Sequence, residues 1–184
     1  MTVAVRHRIM RIEDFLAWET RQELRFEFDG FEPVGMTGGS FRHSAIQRNL
    51  AILVGGRLLG GDCAFYGSDL KVLLEDRVRY PDGQVVCGPH PPTATFTTAP
   101  VVVFEVTSPS SSDLDHETKR EEYTRLTTLR QYVIIEQHAV RVRLLEREGA
   151  VWTDRTLEAG DALLLRAIGV KVMVTELYAG VELD

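Results

Sequence analysis

A run of apolar residues at positions 101–106, "VVVFEV", restricts the fold of this chain more than any other feature of its sequence. Such a continuous run, rich in β-branched side chains, is typical of a central β-strand that is buried on both faces. Glu105 lies within the run, and an ionised carboxylate inside a buried strand costs free energy unless it is paired, protonated or bound to a cation. We therefore expect Glu105 to have a specific partner and a function.

The other segments alternate helical and extended patterns, and the sequence contains no internal repeat. A sheet with helices packed against it buries the apolar faces of both in one core. The sequence therefore predicts a mixed α/β (α/β or α+β) fold, a mixed β-sheet flanked by helices, in one domain spanning residues 1–184. The predicted elements are a helix in "IEDFLAWETRQ", a hairpin around Asp29-Gly30, a helix of about five turns from the N-cap Ser40 to Gly60-Gly61, strands within residues 63–87, a surface loop at 88–99, a charged helix after Pro109 and several strands from residue 131 onward.

Composition and charge narrow the class of protein. The chain has 184 residues, 44% of them apolar and 26% charged, which is typical of one globular domain. No apolar run approaches the length of a membrane span, so we expect a cytoplasmic protein without membrane contact. The net charge of -6 argues against a protein that coats nucleic acid non-specifically, but not against a nuclease, whose carboxylates a divalent cation neutralises. Cys63 and Cys87 are far apart in sequence and predict two buried, reduced thiols.

Three carboxylates are candidates for a metal site. Glu27 lies in the predicted hairpin, Asp82 follows Pro81 at a strand end, and Glu105 lies in the apolar run. Magnesium prefers oxygen ligands and keeps several waters, so carboxylates that converge from different strands suit it. Each carboxylate also has a structural alternative: Glu27 on the hairpin surface, Asp82 closing a turn, and Glu105 in an internal salt bridge to Lys119 or an arginine.

Five short segments occur in an order that matches a known family: "EFDG", "HSAIQRNL", "RYPD", "EVTSPS" and "DHETKREEY". The chain resembles the restriction-endonuclease-like superfamily, named for its PD-(D/E)xK motif, and more narrowly a bacterial family of restriction endonucleases of the Uma2 type. The resemblance extends from about residue 9 to residue 146 and implies a restriction-endonuclease-like core.

The resemblance implies a magnesium-dependent endonuclease that hydrolyses DNA phosphodiester bonds, with manganese as an alternative metal. It assigns Asp82 and Glu105 to the metal, with the backbone carbonyl of Val106 as a further ligand. Glu27 would complete the metal shell or hold a metal-bound water. Lys119 would orient the attacking water or stabilise charge on the phosphate.

Two positions depart from the family pattern. The superfamily lysine would stand at Thr107, so its role must pass to another side chain. We prefer Lys119, because the narrower family carries its lysine on the following helix, and Lys71, on a strand leading to Asp82, is the alternative. Gly83 stands where the family usually has an apolar residue, and we expect it to loosen its strand.

Two further side chains are candidates for the site. His43 either contacts DNA or the metal shell or lies on a helix surface, and the surface position is the commoner one. Tyr123 shares a helix face with Lys119, and we expect it to pack rather than to take part in chemistry.

The nuclease hypothesis has two alternatives. The first is a nuclease-like fold without turnover that acts as a dimeric nucleic-acid or protein binding module, which the acidic net charge and Thr107 favour. The second is a dimeric scaffold whose carboxylates form a buried ion-pair network, and a metal titration would distinguish it from the other two. Because cleavage of both strands of a duplex needs two sites, the nuclease hypothesis implies DNA as the partner and a symmetric homodimer.

Overall fold

The described residues form a mixed α/β structure in which helices flank mixed β-sheets. This computed structural model describes residues 10–36, 38–107 and 113–183. The helices are α1 Ile12–Glu19, α2 Phe41–Leu50, α3 Gly56–Leu58, α4 Asp113–Thr124 and α5 Val174–Leu177, with a π-helical turn Ala51–Gly55 between α2 and α3 and a 3-10 turn Arg166–Ile168. The strands are β1 Phe26–Phe28, β2 Pro33–Gly35, β3 Cys63–Gly67, β4 Lys71–Leu73, β5 Val78–Arg79, β6 Gly83–Cys87, β7 Phe96–Thr97, β8 Pro100–Val106, β9 Gln131–Ile135, β10 Arg141–Glu148, β11 Val151–Glu158, β12 Ala162–Leu165 and β13 Val170–Met173.

The apolar run forms β8, a central strand of a six-stranded sheet with the order β11-β10-β9-β8-β6-β3. It pairs with β9 in parallel and with β6 in antiparallel orientation. Successive side chains of a strand point to opposite faces. Phe104 packs into a cluster with Ile46 of α2, whereas Val103 packs with Tyr123 of α4. The predicted strand buried on both faces is therefore confirmed.

The predicted hairpin is confirmed, but it belongs to a second sheet with the order β2-β1-β5-β4-β7. In its turn, Asp29 Oδ1 accepts hydrogen bonds from the backbone amides of Phe31 and Glu32, both at 2.8 Å. Strands β12 and β13 form a third, two-stranded sheet. The expectation of one sheet is therefore wrong. The chain leaves the second sheet after Arg79 and enters the six-stranded sheet at Gly83, and the intervening proline lacks the N–H that would continue a strand ladder.

The predicted helix after Ser40 is confirmed, with one difference in its course. Ser40 Oγ accepts a hydrogen bond from the backbone amide of His43 at 3.2 Å, as an N-cap does. The helical path continues to Leu58, but its middle, Ala51–Gly55, is a π-helical turn that the apolar spacing did not predict.

Three details differ from the sequence predictions. Cys63 and Cys87 are directly opposed on β3 and β6 and form a disulfide, so the prediction of reduced thiols is wrong. The predicted loop at residues 88–99 contains the short strand β7, which pairs in parallel with β4. Gly83 is a buried member of β6, and a Cβ added to it would lie 2.6 Å from Cζ of Phe65, so the space it leaves is filled by that ring.

None of the helices in the described ranges is long and apolar enough to cross a membrane.

Candidate active site

Strands β6 and β8 bring the first two candidate carboxylates together. Their antiparallel register pairs Gly83 with Phe104, so Asp82, directly before β6, comes next to Glu105 on β8. Asp82 Oδ2 accepts a hydrogen bond from the backbone amide of Val106 at 2.6 Å. Two acidic side chains far apart in sequence thus lie side by side at one end of a buried strand.

Helix α2 holds the carboxylate of Asp82 from the other side. Gln47 Nε2 donates to Asp82 Oδ1 at 2.6 Å, and His43 Nε2 lies 3.3 Å from Asp82 Oδ2. Burial opposes charge on the imidazole, but the hydrogen bond and the negative charge of Asp82 outweigh it and raise the pKa of His43 above its ordinary value. Sequence reasoning missed Gln47, although it lies one helical turn after His43 and therefore on the same helix face.

Glu105 is buried, with 6% of its surface exposed. Tyr123 Oη donates to Glu105 Oε1 at 3.1 Å, and Lys119 Nζ lies 3.9 Å from the same oxygen. Burial raises the pKa of Glu105 to about 8; the charges of Asp82 and Glu27 add to the effect, while Lys119 and Tyr123 oppose it. The protonated form of Glu105 is therefore favoured near neutral pH when no metal ion is bound. Burial also raises the pKa of Tyr123 well above its ordinary value.

Glu27 lies between Lys119 and a buried arginine. Its Oε1 accepts from Lys119 Nζ at 3.3 Å and from the backbone amide of Tyr80 at 3.1 Å, and its Oε2 accepts from Arg79 Nη1 at 3.1 Å. Arg79 also donates to both carboxylate oxygens of Glu122 of α4, from Nε at 2.7 Å and from Nη2 at 2.8 Å. Burial opposes the charge of Arg79, but Glu122 and Glu27 raise its pKa. Sequence reasoning missed both Arg79 and Glu122.

The two lysine candidates occupy different places. Lys119 is directed from α4 toward the carboxylates of Glu27 and Glu105. Lys71 of β4 is buried and forms an ion pair with Glu19 of α1. The other oxygen of Glu19 accepts from Tyr80 Oη at 2.5 Å. The structure therefore places Lys119 beside Glu105, whereas Lys71 joins α1 to β4.

Comparison with known proteins shows the family to which this chain belongs. A sequence profile of the family Uma2, described as "Putative restriction endonuclease", matches residues 12–175. The chain belongs to the Uma2 family. A Synechocystis protein, "Uncharacterized protein slr1290", is 34% identical over 172 residues, which are 91% of this chain and 90% of that protein.

A solved structure has the same fold as this Uma2 chain. It is the crystal structure of "a putative nuclease belonging to DUF820" from Anabaena variabilis, with a TM-score of 0.80 and 14% sequence identity. The similarity covers 94% of this chain and 99% of that chain. At this identity it establishes the nuclease-like fold and leaves the chemistry to the residues of the site.

Thr107, where the superfamily motif has its lysine, has a structural role in this Uma2 protein. Its carbonyl accepts from Gln137 Nε2 at 2.7 Å, and its Oγ1 accepts from the backbone amide of Gln137 at 3.3 Å. Ser40 Oγ donates to Gln137 Oε1 at 2.7 Å. Thr107 thus connects the end of β8 to the start of α2 and to the residues after β9.

The donors of the cluster suit magnesium better than a softer metal. Asp82 and Glu105 offer carboxylate oxygens. Burial favours the protonated form of Glu105, and a bound divalent cation would stabilise its ionised form instead. Both oxygens of Glu27, like both oxygens of Asp82, already accept hydrogen bonds from protein donors. Within the described ranges, no three His, Cys, Asp or Glu side chains are grouped so as to hold a metal ion. A magnesium site here would rest on two carboxylates, backbone oxygen and water.

The raised pKa of Glu105 leads to a prediction about stability and pH. A carboxyl group with a higher pKa in the folded than in the unfolded protein keeps its proton on folding, so stability falls as the pH rises between the two values. For Glu105 this interval extends from 4.5 to about 8. We expect the free energy of unfolding of the metal-free protein to fall across this interval by at least about 1 kcal/mol relative to Glu105→Gln, which cannot ionise. Urea unfolding in EDTA at a series of pH values measures this difference, and a constant difference would contradict the prediction.

Proposed function

We propose that this protein is a magnesium-dependent endonuclease that hydrolyses phosphodiester bonds in DNA. The observation that carries the proposal is the convergence of Asp82 and Glu105, from adjacent strands, with Lys119 of α4 beside Glu105. Membership of the Uma2 family and the description of the structural neighbour as a nuclease support it.

In this proposal Asp82 and Glu105 hold the metal, with the backbone carbonyl of Val106 as a further ligand and manganese as an alternative to magnesium. A magnesium ion bound there supplies Lewis-acid stabilisation of the negative charge that develops on the phosphate. His43 and Gln47 hold the carboxylate of Asp82 in place from α2. These contacts fix the orientation of the carboxylate before the reaction, so that it would need little reorganisation.

Lys119 is the cation of the proposed site. Its ammonium group would donate a hydrogen bond to the attacking water or to a phosphate oxygen, and so would stabilise charge in the transition state. Glu27 accepts from Lys119 at 3.3 Å and fixes its position. Arg79 in turn holds Glu27. The predicted place of Glu27 in the metal shell stays a prediction.

Cleavage of both strands of a duplex requires two such sites, so we extend the proposal to a symmetric homodimer in the cytoplasm. Sedimentation velocity of the purified protein measures its mass in solution. A monomeric protein that nicks one strand of a duplex would support the proposed chemistry but contradict the proposed homodimer.

The experiment that tests the function is cleavage of supercoiled, linear and single-stranded DNA by the purified protein. We expect cleavage with magnesium or manganese and none in EDTA, because the carboxylate pair needs the cation to act on a phosphate. DNA binding without cleavage in either metal would favour the silent binding module instead. A calorimetric titration with manganese that detects no binding would favour the buried ion-pair scaffold.

A further inference from the structure

Lysine is rare in this chain, and one of the few lysines lies in the candidate active site. The 21 basic residues include only three lysines, Lys71, Lys119 and Lys171. Lys119 is the one directed at the carboxylates of Glu27 and Glu105. Lysine carries its charge on a long, flexible stem, so its ammonium group needs fixed partners if it is to act at one position. The side chains around Lys119 therefore determine whether it is held where a phosphate would bind.

A ring of alternating charges holds Lys119. Glu27 Oε1 accepts from Lys119 Nζ at 3.3 Å, and Glu27 Oε2 accepts from Arg79 Nη1 at 3.1 Å. Arg79 donates to both oxygens of Glu122, from Nε at 2.7 Å and from Nη2 at 2.8 Å. Glu122 lies three residues after Lys119 on α4, and residues at this spacing are neighbours on a helix surface. The backbone of α4 therefore closes the ring, in which Glu27, Arg79 and Glu122 are buried.

Glu122 occupies the planar fork of Arg79. A guanidinium group binds a carboxylate most strongly when two of its N–H groups face both carboxylate oxygens. Glu122 binds Nε and Nη2 of Arg79 in this way, and Arg77 donates to the same carboxylate at 2.9 Å. The nitrogen of Arg79 directed at Glu27 is Nη1. Because Arg79 contacts Glu27 through Oε2 alone, the other oxygen of Glu27 accepts from Lys119.

We propose that Glu122 is a positioning residue for Lys119. It acts through two other side chains: it keeps the fork of Arg79 away from Glu27, so that Glu27 holds the ammonium group of Lys119 at the site. Without the charge of Glu122, Arg79 would turn its fork to Glu27, and Lys119 would lose this partner. The inference rests on the proposed nuclease function and adds to it a residue that the sequence motifs did not single out.

The first experiment measures the chemical reactivity of Lys119 and requires no cleavage. The purified protein is treated in EDTA with a limiting amount of an acetylating reagent, and mass spectrometry of its peptides measures the acetylation rate of each lysine. We expect Glu122→Gln to raise the rate at Lys119 about tenfold, the effect of losing one hydrogen bond to a charged group. Lys171 is exposed on β13 and serves as the internal reference. Glu121→Gln is the matched control, because it removes the same charge from an exposed position of α4 and should leave Lys119 unchanged.

The second experiment tests whether Glu122 acts through Lys119. We expect Glu122→Gln to lower kcat for metal-dependent nicking about tenfold to 100-fold, because a small displacement of a catalytic group has an effect of this size. The magnesium concentration that gives half of the maximal rate should not change, because Asp82 and Glu105 are both retained. In a protein that already carries Lys119→Met, Glu122→Gln should have no further effect on kcat. Thermal unfolding must show that each variant is folded at the assay temperature.

Two outcomes would overturn the inference. Equal acetylation of Lys119 in Glu122→Gln and in the wild type would show that Glu122 does not control its position, whether or not the protein cleaves DNA. Equal losses of kcat with and without Lys119 would assign Glu122 a role in stability alone. Faster acetylation of Lys119 in Glu122→Gln, in a protein whose wild type cleaves no DNA, would contradict the nuclease proposal but support the control of Lys119 by Glu122.

Discussion

Asp82→Asn is expected to lower the rate of metal-dependent DNA cleavage by about 1,000-fold or more. The substitution keeps the size of the side chain but removes the charge that would bind the cation. An asparagine side chain has one acceptor oxygen in place of the two of Asp82. Gln47, His43 and the amide of Val106 now contact those two oxygens. The measurement is the initial rate of nicking of supercoiled DNA across a series of magnesium concentrations.

The control for this prediction is Asp154→Asn, which changes another carboxylate of the same protein. Asp154 lies on β11, where Arg143 donates to it at 2.7 Å, away from the carboxylate pair. We expect this variant to cleave like the wild type. Asp82→Asn should also lose about 1 to 3 kcal/mol of stability, because a buried donor loses its acceptor, so thermal unfolding must confirm that it is folded at the assay temperature. If the Asp82→Asn variant is folded and cleaves DNA at the wild-type rate, Asp82 does not have the proposed role in binding the metal.

Arg79→Met is expected to lower the free energy of unfolding by about 3 to 5 kcal/mol. Arg79 is 4% exposed and compensates two carboxylates, Glu27 and Glu122, that are also buried. Methionine fills part of the volume but removes the buried cation, so Glu27 keeps only Lys119 and Glu122 keeps only Arg77 as an ion-pair partner. Chemical denaturation with urea measures the loss.

Arg143→Met is the matched control, because Arg143 also binds a carboxylate with several hydrogen bonds, but its side chain is 37% exposed. Solvent screens an exposed pair, so this change should cost about 1 kcal/mol or less. Adding Glu122→Met to Arg79→Met should recover part of the stability, because it removes one of the two buried carboxylates that have lost Arg79. Equal losses in the two single variants would show that the Arg79 network contributes no more than a surface pair.

Features that depend on neighbouring residues could be read from the sequence. The apolar run predicted β8, the Asp29-Gly30 turn predicted the hairpin, and the position of Ser40 predicted the start of α2. Each of these signals acts over a few residues, because side-chain alternation, turn conformation and N-capping are local interactions. The motif order also singled out Glu27, Asp82, Glu105 and Lys119, which the structure brings together.

Features that depend on distant residues were decided by the tertiary structure. Gln47 meets Asp82, Arg79 meets Glu122, and Cys63 meets Cys87 through contacts between elements that are separated along the chain. The division of the strands into three sheets has the same origin, because a strand's local pattern does not specify its partner. The sequence by itself determined most of the strands and helices, apart from β7 and the π-helical turn, and it identified Glu105 as an acid in a buried strand. Only the packing of those segments decided which donors surround each acid, since hydrogen bonds and burial depend on distances in space rather than along the chain.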